Sequence, residues 1–446
     1  MSDESKNPLR DQGLGAERVP PPCTMVIFGA SGDLTKRKLV PALYSLARDR
    51  RLPTAFSVVG VARRDMEHGV FRKSMREACD QFARRRPVDE ALWSSFSEGL
   101  YYSSGTFEDP KTYEKLKSLL DRIDEERGTA GNRIYYLSTP PSEYPKIVTK
   151  LGEAELINRK PDGPFTRVII EKPFGRDLES ARALNRTVHE WLREDQTFRI
   201  DHYLGKETVQ NILSFRFANA LWEPLWNAKY VDHVELTVAE AIGVEGRGGY
   251  FESAGILRDM VQNHMFQFLC MMAMEPPVAF EADSVRDEKL KVLRSLRPLP
   301  KDPDELTKLV VRGQYAAGSV GGEERIAYRD EKDVAKNSSV ETYVAIELFI
   351  DNWRWAEVPF FLRAGKSLPK RVTEIAIFFK KAPHTIFPQA AGEIASQPNV
   401  LSLRIQPDEG ISLKFFSKEP GPSMTVVPVS MEFRYGTSFG AEPPEA

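Results

Sequence analysis

The feature that most constrains the fold is the apolar run Thr24-Met25-Val26-Ile27-Phe28, followed at once by GASGDLTKRKL. The run has the length and composition of a buried strand. Gly29 and Gly32 bracket a tight turn, and Lys38, Leu39, Ala42, Leu43, Leu46 and Ala47 then recur at helical spacing. Strand, glycine turn and helix, in that order, form the opening unit of a nucleotide-binding sheet. The turn lets backbone approach a pyrophosphate closely, and the first helical N–H groups lack internal acceptors. The spacing departs from GxGxxG, with Ser31 in place of the second glycine and Leu34 in place of the third. Glycine turns after strands are common, so this unit alone is a weak signal. Lys36, Arg37 and Lys38 add positive charge, although a solvated helix face would carry the same residues.

The next strand, Phe56 to Val61, runs into GVARRD. An NAD site usually offers an acid here to the ribose hydroxyl. Arg63 and Arg64 come first instead, and guanidinium groups suit a 2′-phosphate, which favours NADP. Asp65 follows closely, and surface arginines in a loop are the structural alternative. Residues 67–128 read as helices, with Arg84-Arg85-Arg86 on a solvated face. Arg133 to Leu137 is a further strand, entering STPPSEY, and Val168-Ile169-Ile170 is another, entering Glu171-Lys172-Pro173-Phe174-Gly175. Lys172 thus ends a parallel strand, where open α/β sheets place their ligands. Pro173 keeps it out of the α region. A strand end that merely turns into the helix from Asp177 explains the same residues.

Arg199 to Glu207, RIDHYLGKE, places an Asp, a His, a Tyr and a Lys within six positions. Ionisable groups are rarely buried unless paired, so core packing does not explain the cluster. If the segment is helical, His202 and Lys206 share a face and can seat a phosphate, while Asp201 points elsewhere. The structural alternative is a solvated, salt-bridged helix start. Gly205 within the segment points to close approach or a kink.

The whole-chain balance limits the partners. Over 446 residues, 62 Lys and Arg face 64 Asp and Glu, a net charge of −2. That gives no ground for nucleic-acid or membrane binding, so an anionic ligand must meet local basic clusters. Cys23, Cys79 and Cys270 are few and lack metal-ligand spacing, which fits a reducing cytoplasm without a disulfide framework or zinc site. No apolar run is long enough to span a membrane. Residues 1–22 are polar, end in Pro20-Pro21-Pro22 and read as a disordered lead-in.

Beyond Glu207 strands dominate: His233–Val238, Leu309–Tyr315, Thr342–Ile350, Thr373–Phe379, Val400–Ile405, Ile411–Phe416 and Ser430–Tyr435. Alternation such as Val344, Ile346, Leu348 and Ile350 marks a sheet with one covered face. The fold class is therefore α/β + α+β: an N-terminal Rossmann-like doubly wound dinucleotide-binding domain, then an α+β domain with a large antiparallel sheet. The expected boundaries are a tail over 1–22, a first domain over 23–199 and a second over 200–446. One helix among the strands, Gly255 to Glu275, is apolar nearly all round and carries Asp259, Asn263 and His264. His264 is either a satisfied core residue or a base facing a cleft with a carboxylate behind it, for which Asp201 is available. On an α-helix Asp259 stands about 140° from His264, so the two serve one site only near the cleft-facing end. VPFFLRAGKSLPKR gathers Arg363, Lys366, Lys370 and Arg371 in a basic loop, and Glu240 is a lone acid at a strand end.

Taken together, GASGDLTKRKL, EKPFGRDL, RIDHYLGKE, WNAKYVDHVELTVAE, GRGGYFESAGILRDMVQNH and VPFFLRAGK resemble the glucose-6-phosphate dehydrogenase family, in its order, from Met25 to near Gly436. The resemblance implies oxidation of the anomeric carbon of glucose 6-phosphate to the lactone, the first step of the pentose phosphate pathway, with NADP as acceptor and no metal. It makes His264 the base and Asp201 its partner. His202, Tyr203 and Lys206 match the phosphate wall, Glu240 and Asp259 the acids on sugar hydroxyls, Lys172 a residue between substrate and cofactor, and Lys366 and Arg371 further substrate contacts. Gly29, Ala30, Ser31, Gly32, Asp33, Leu34, Lys38, Arg63, Tyr144 and Lys172 match the cofactor side.

The resemblance further implies a cytoplasmic homodimer formed through the sheet. Family members continue past Pro443-Pro444-Glu445 with C-terminal helices, which raises an alternative: an inactive NADP-binding protein of the same fold. Sugar oxidoreductases with an EKP segment are a second alternative, although a neutral sugar needs no cationic seat.

Overall fold

The chain is described by a computed structural model, in which residues 19–384 and 397–439 are described. The expected lead-in falls outside this range except for Val19 to Pro22, which are exposed, and the segment Pro443 to Glu445 lies outside it. The chain divides into two compact units, residues 1–200 and 201–444.

The first unit is a six-stranded parallel sheet: β1 (Cys23–Phe28), β2 (Phe56–Ala62), β3 (Leu100–Ser104), β4 (Arg133–Leu137), β5 (Thr166–Ile170) and β6 (Thr197–Arg199). The spatial order is β3-β2-β1-β4-β5-β6, and every neighbouring pair is parallel. Strand order reverses between β1 and β4, the switch point where open α/β sheets place ligands at the strands' carboxyl ends. Continuous burial of Val26, Ile27 and Phe28, and of Val58, Val59 and Val61, follows from helices covering both faces. Two separate apolar clusters result, one around Phe28, Tyr113 and Tyr135 and one around Tyr44, Phe71 and Trp93.

Two strands of the first unit escaped the sequence reading. Residues 67–128 hold helices His68–Phe82, Glu90–Glu98 and Pro110–Arg127, but β3 runs between the last two. It is a short strand, LYYSS, whose two tyrosines were its sequence signal. The short strand β6 leads directly into RIDHYLGKE.

The second unit carries β7 (Val231–Ala239), β8 (Val310–Gly313), a two-stranded ribbon of β9 (Gly318–Val320) and β10 (Glu323–Arg325), then β11 (Tyr343–Leu348), β12 (Phe360–Gly365), β13 (Val372–Phe379), β14 (Val400–Gln406), β15 (Gly410–Lys418) and β16 (Val426–Arg434). Eight of these form one sheet, β16-β15-β14-β13-β7-β12-β11-β8. The large sheet is as expected, but it is mixed: β7 and β12 at its centre run parallel, and the other pairs run antiparallel. The expected basic loop is partly strand. In β12, Phe360, Leu362 and Ala364 are buried, while Phe361 and Arg363 point to the opposite face. Val234, Leu236, Val238, Val344, Ile375, Ile377, Leu401 and Leu403 complete the covered face and pack with the helical residues Val209, Ile212, Met265, Phe268 and Met272. None of the helices among the described residues is long and apolar enough to cross a membrane. All three cysteines are buried and free, and burial pushes the thiols up to about 11 at Cys23 and about 12 at Cys79 and Cys270.

Candidate active site

In the first unit the turn after β1 is built on Gly29, at φ +87°. A Cβ there would meet the Ser138 carbonyl oxygen at 2.1 Å, so glycine alone lets this turn press against the end of β4. Gly32 N–H closes the turn on Gly29 O at 2.9 Å. Ala30 is buried, Ser31, Asp33 and Lys38 are exposed, and Leu34 leads into a π-wound turn, Thr35–Leu39. Beside the turn, the hydroxyls of Ser138 and Thr139 are buried with no hydrogen-bond partner among the described residues. Orphaned hydroxyls and a turn that needs glycine at Gly29 fit a phosphate-bearing dinucleotide.

Ser138 and Thr139 were missed in the sequence, although STPPSEY follows a strand. Arg63 and Arg64 are exposed just past β2, where the Tyr102 hydroxyl donates to the Arg64 carbonyl at 2.5 Å. Asp65 accepts from Ser104 at 2.9 Å. Tyr144 is buried at the start of helix Tyr144–Glu153. Lys172 is half-buried just past β5, next to Glu171, which accepts from the Tyr136 hydroxyl at 2.6 Å.

In the second unit RIDHYLGKE does not continue as a helix. Residues 201–206 form successive turns, and the helix Glu207–Phe217 starts only after Lys206. The Asp201 carboxylate accepts from the Tyr203 N–H at 3.0 Å, Leu204 N–H donates to Asp201 O, and Lys206 N–H donates to Tyr203 O. Asp competes for backbone N–H groups in this way and so favours turns over helix. His202 and Lys206 therefore meet one side through the turns, by way of Tyr203. The His202 and Tyr203 rings lie 4.8 Å apart, and Lys206 Nζ sits 4.3 Å above the Tyr203 ring.

His264 is fully buried, and its Nδ1 lies 2.7 Å from Asp201 Oδ1. Tyr203 stacks on the His264 ring at 4.0 Å, and His202 meets that ring edge-on at 4.8 Å. Burial acts to raise the Asp201 carboxyl, yet the hydrogen bond and charge of His264, the Tyr203 N–H and the His202 charge together hold it below its ordinary value. The segment bearing His264, Leu257–Met265, is π-wound, and Gly255 (φ +64°, ψ 172°) breaks the helix before it. With i→i+5 bonding, residues five apart stand about one turn apart. The angular separation expected between Asp259 and His264 on an α-helix does not hold. Asp259 is buried and accepts from the Tyr250 hydroxyl at 3.2 Å.

Two further groups border Tyr203. Lys366, buried after β12, pairs with Glu240 after β7 at 2.5 Å, and Glu240 acts on the Tyr203 hydroxyl, which burial chiefly pushes up to about 12. Lys206 Nζ donates to Gln406 Oε1 at 2.5 Å, Arg371 donates to the same oxygen at 3.3 Å, and Gln406 donates to Thr373 Oγ1 at 3.1 Å. Burial, then the Arg371 charge, lower the Lys206 amine, against an opposing pull from Glu409. Gln406 and Thr373 had no sequence signal, being ordinary polar residues at strand ends. Lys289 was also missed: its half-buried amine is lowered by burial, with Cys270 and Asp201 acting the other way.

Ligand atoms of Asp201, His202 and His264 lie within 4.8 Å of one another. Two ligands on a tetrahedral zinc would sit about 3.3 Å apart, so the 2.7 Å Asp201–His264 contact is too close for a shared zinc and is a direct contact of carboxylate and imidazole. The site thus holds a buried imidazole oriented by a carboxylate, a cationic wall and a carboxylate–ammonium pair.

Comparison with known proteins gives the family. The domain family described as glucose-6-phosphate dehydrogenase, NAD binding domain, matches residues 26–211, and the corresponding C-terminal domain family matches residues 213–446. A glucose-6-phosphate 1-dehydrogenase of Chlamydia pneumoniae is 48% identical over 439 residues, covering 97% of this chain and 84% of the relative. One from Aggregatibacter actinomycetemcomitans is 50% identical over 419 residues, covering 94% and 82%. Among solved structures, a glucose-6-phosphate dehydrogenase in complex with its substrate glucose-6-phosphate superposes with a TM-score of 0.84 at 36% identity, covering 96% of this chain and 85% of that one. The chain belongs to the glucose-6-phosphate dehydrogenase family.

Proposed function

We propose that this chain oxidises C1 of glucose 6-phosphate to the 1,5-lactone with NADP as acceptor, and that His264 is the general base. The observation that carries the reading is the buried Asp201–His264 contact at 2.7 Å beside the His202 imidazole and the Lys206 ammonium on the Tyr203 wall. In the reaction the C1 hydroxyl loses its proton to His264 Nε2 as the C1–O bond becomes double. Asp201 holds Nδ1 and stabilises the imidazolium as it forms. When bound, the nicotinamide supplies the acceptor for the hydride leaving C1.

Lys206 and His202 seat the phosphate, with Tyr203 fixing both against the His264 ring and Arg371 adding charge beside Gln406. Glu240 and Asp259 accept hydrogen bonds from sugar hydroxyls, and Lys366 orients Glu240. The half-buried position of Lys206 leaves its amine partly desolvated, so an arriving phosphate finds a stronger electrostatic partner than a surface lysine would offer. In the first unit, the Gly29–Leu34 turn with Lys38 holds the pyrophosphate, Tyr144 borders it, and Lys172, just past β5, serves both substrate and cofactor. Arg63 binds the 2′-phosphate and sets NADP above NAD. Residues 23–199 serve as the dinucleotide domain and 200–446 as the substrate and dimerisation domain.

The open face of the eight-stranded sheet supports a homodimer: Val311 is 57% and Phe361 38% exposed there, and His233 stacks on Phe378 beside them.

The reading is tested by measuring reduction of NADP and NAD with glucose 6-phosphate and with free glucose. Turnover on the phosphate ester, faster with NADP, supports it. Activity on free glucose alone makes the chain a neutral-sugar oxidoreductase, and NADP binding without turnover makes it a non-catalytic dinucleotide-binding protein.

A further inference from the structure

The first unit holds a cavity at the amino ends of β2 and β3, opposite the carboxyl ends that carry the Gly29 turn. Its volume is about 420 Å³, within the range of about 300–1,000 Å³ typical of small-molecule sites. Leu52, Phe56, Leu92 and Phe96 give it apolar walls, Thr54 and Ser95 add hydroxyls, and no carboxylate lines it. Two guanidinium groups do, from Arg50 and Arg127.

Arg127 closes the helix Pro110–Arg127, where a cation suits the helix end. That accounts for its charge but not for its placement. Its Nε is buried with no hydrogen-bond partner among the described residues, and its Nη2 reaches Gly99, where a Cβ would come within 3.4 Å. Arg50 stands at φ +57°, a backbone position usually given to Gly or Asn. Apolar walls and two guanidinium groups without a lining carboxylate are complementary to one ligand chemistry: a carboxylate on an apolar chain.

We infer that this cavity binds a small apolar carboxylate, with the Arg127 guanidinium on its head group and Arg50 at its mouth. The site belongs to the first unit and is independent of the dehydrogenase reading.

Isothermal titration of the full chain with octanoate tests it, with octanol as the neutral control. Saturable one-to-one binding of octanoate, weakened about tenfold or more in Arg127→Gln and blocked in Ser95→Trp, which fills the cavity and keeps the cation, is the expected result. An unchanged melting temperature in either variant shows that binding, not folding, was lost. Absent binding, equal affinity of octanoate and octanol, or affinity indifferent to both substitutions overturns the inference. Binding that emerges only after removal of residues 1–18, which lead into Val19 at the rim, also overturns it by assigning the cavity to the chain's own terminus.

Discussion

Replacing Asp201 with Asn keeps the size and most hydrogen-bonding shape of the side chain but removes its charge. In the proposed reaction that charge faces an imidazolium only after His264 takes the proton, so its loss acts on the transition state. The partners touch at 2.7 Å, with His264 1% and Asp201 14% exposed at the side chain, so solvent screens them little. With charge centres about 4 Å apart and an effective dielectric constant near 20, the lost attraction is about 4 kcal/mol. At about 1.4 kcal/mol per tenfold, kcat should fall by about 10³ with KM for glucose 6-phosphate nearly unchanged.

Initial rates of nicotinamide reduction at saturating substrate measure this. A fall of less than tenfold, or a loss expressed in KM with kcat preserved, would refute the role of Asp201. The same variant carries a stability signature. The folded-state carboxyl of Asp201 is held below its ordinary value, so its pH-linked stabilisation is present above the unfolded value of about 3.9. It is lost as pH falls through the folded value. The urea midpoints of wild type and Asp201→Asn should therefore differ most near neutrality and converge below about pH 4.

Three further outcomes follow from the same geometry. Lys206→Met removes a cation that burial already disfavours, so KM for glucose 6-phosphate should rise by about 10–100-fold while the melting temperature holds or rises; a fall in stability with KM unchanged would contradict the phosphate role. Gly29→Ala forces a Cβ against the Ser138 carbonyl at positive φ and should cost about 2 kcal/mol or more in urea unfolding together with dinucleotide affinity; a neutral effect on both would show that the turn is not constrained. Arg63→Ala should raise KM for NADP by about tenfold and leave KM for NAD unchanged; equal effects on both would remove Arg63 from the 2′-phosphate.

Much of this architecture was legible because its signals are local. The β1 run, the glycine turn and the following apolar spacing announce a doubly wound sheet, and alternation in β11 announces a one-sided sheet. The strands that escaped had weaker local grammar. β3 is short and sits between two helices, and β12 mixes large apolar residues with Arg363 because it pairs on both edges and presents two different faces.

In the site, the Asp201–His264 contact joins residues 63 positions apart, which no periodicity encodes; the two could be matched only through the family motifs that carry them. The helical expectation for residues 201–206 failed because the Asp201 carboxylate takes a backbone N–H that a helix would need. The expected angle between Asp259 and His264 failed because the segment after the break at Gly255 is π-wound, which side-chain pattern does not report. Gln406 and Thr373 were silent for a simpler reason: a polar residue at a strand end has many uses, and only the fold brings these two to Lys206.

The central claim is that this chain is a working dehydrogenase whose base is His264. The most direct measurement is NADPH formation from glucose 6-phosphate by the full chain beside His264→Asn, with NADP binding and thermal unfolding recorded for both. The account predicts rapid turnover that falls by about 10³ or more in the variant, with NADP affinity and unfolding unchanged. Turnover that survives the substitution would contradict it.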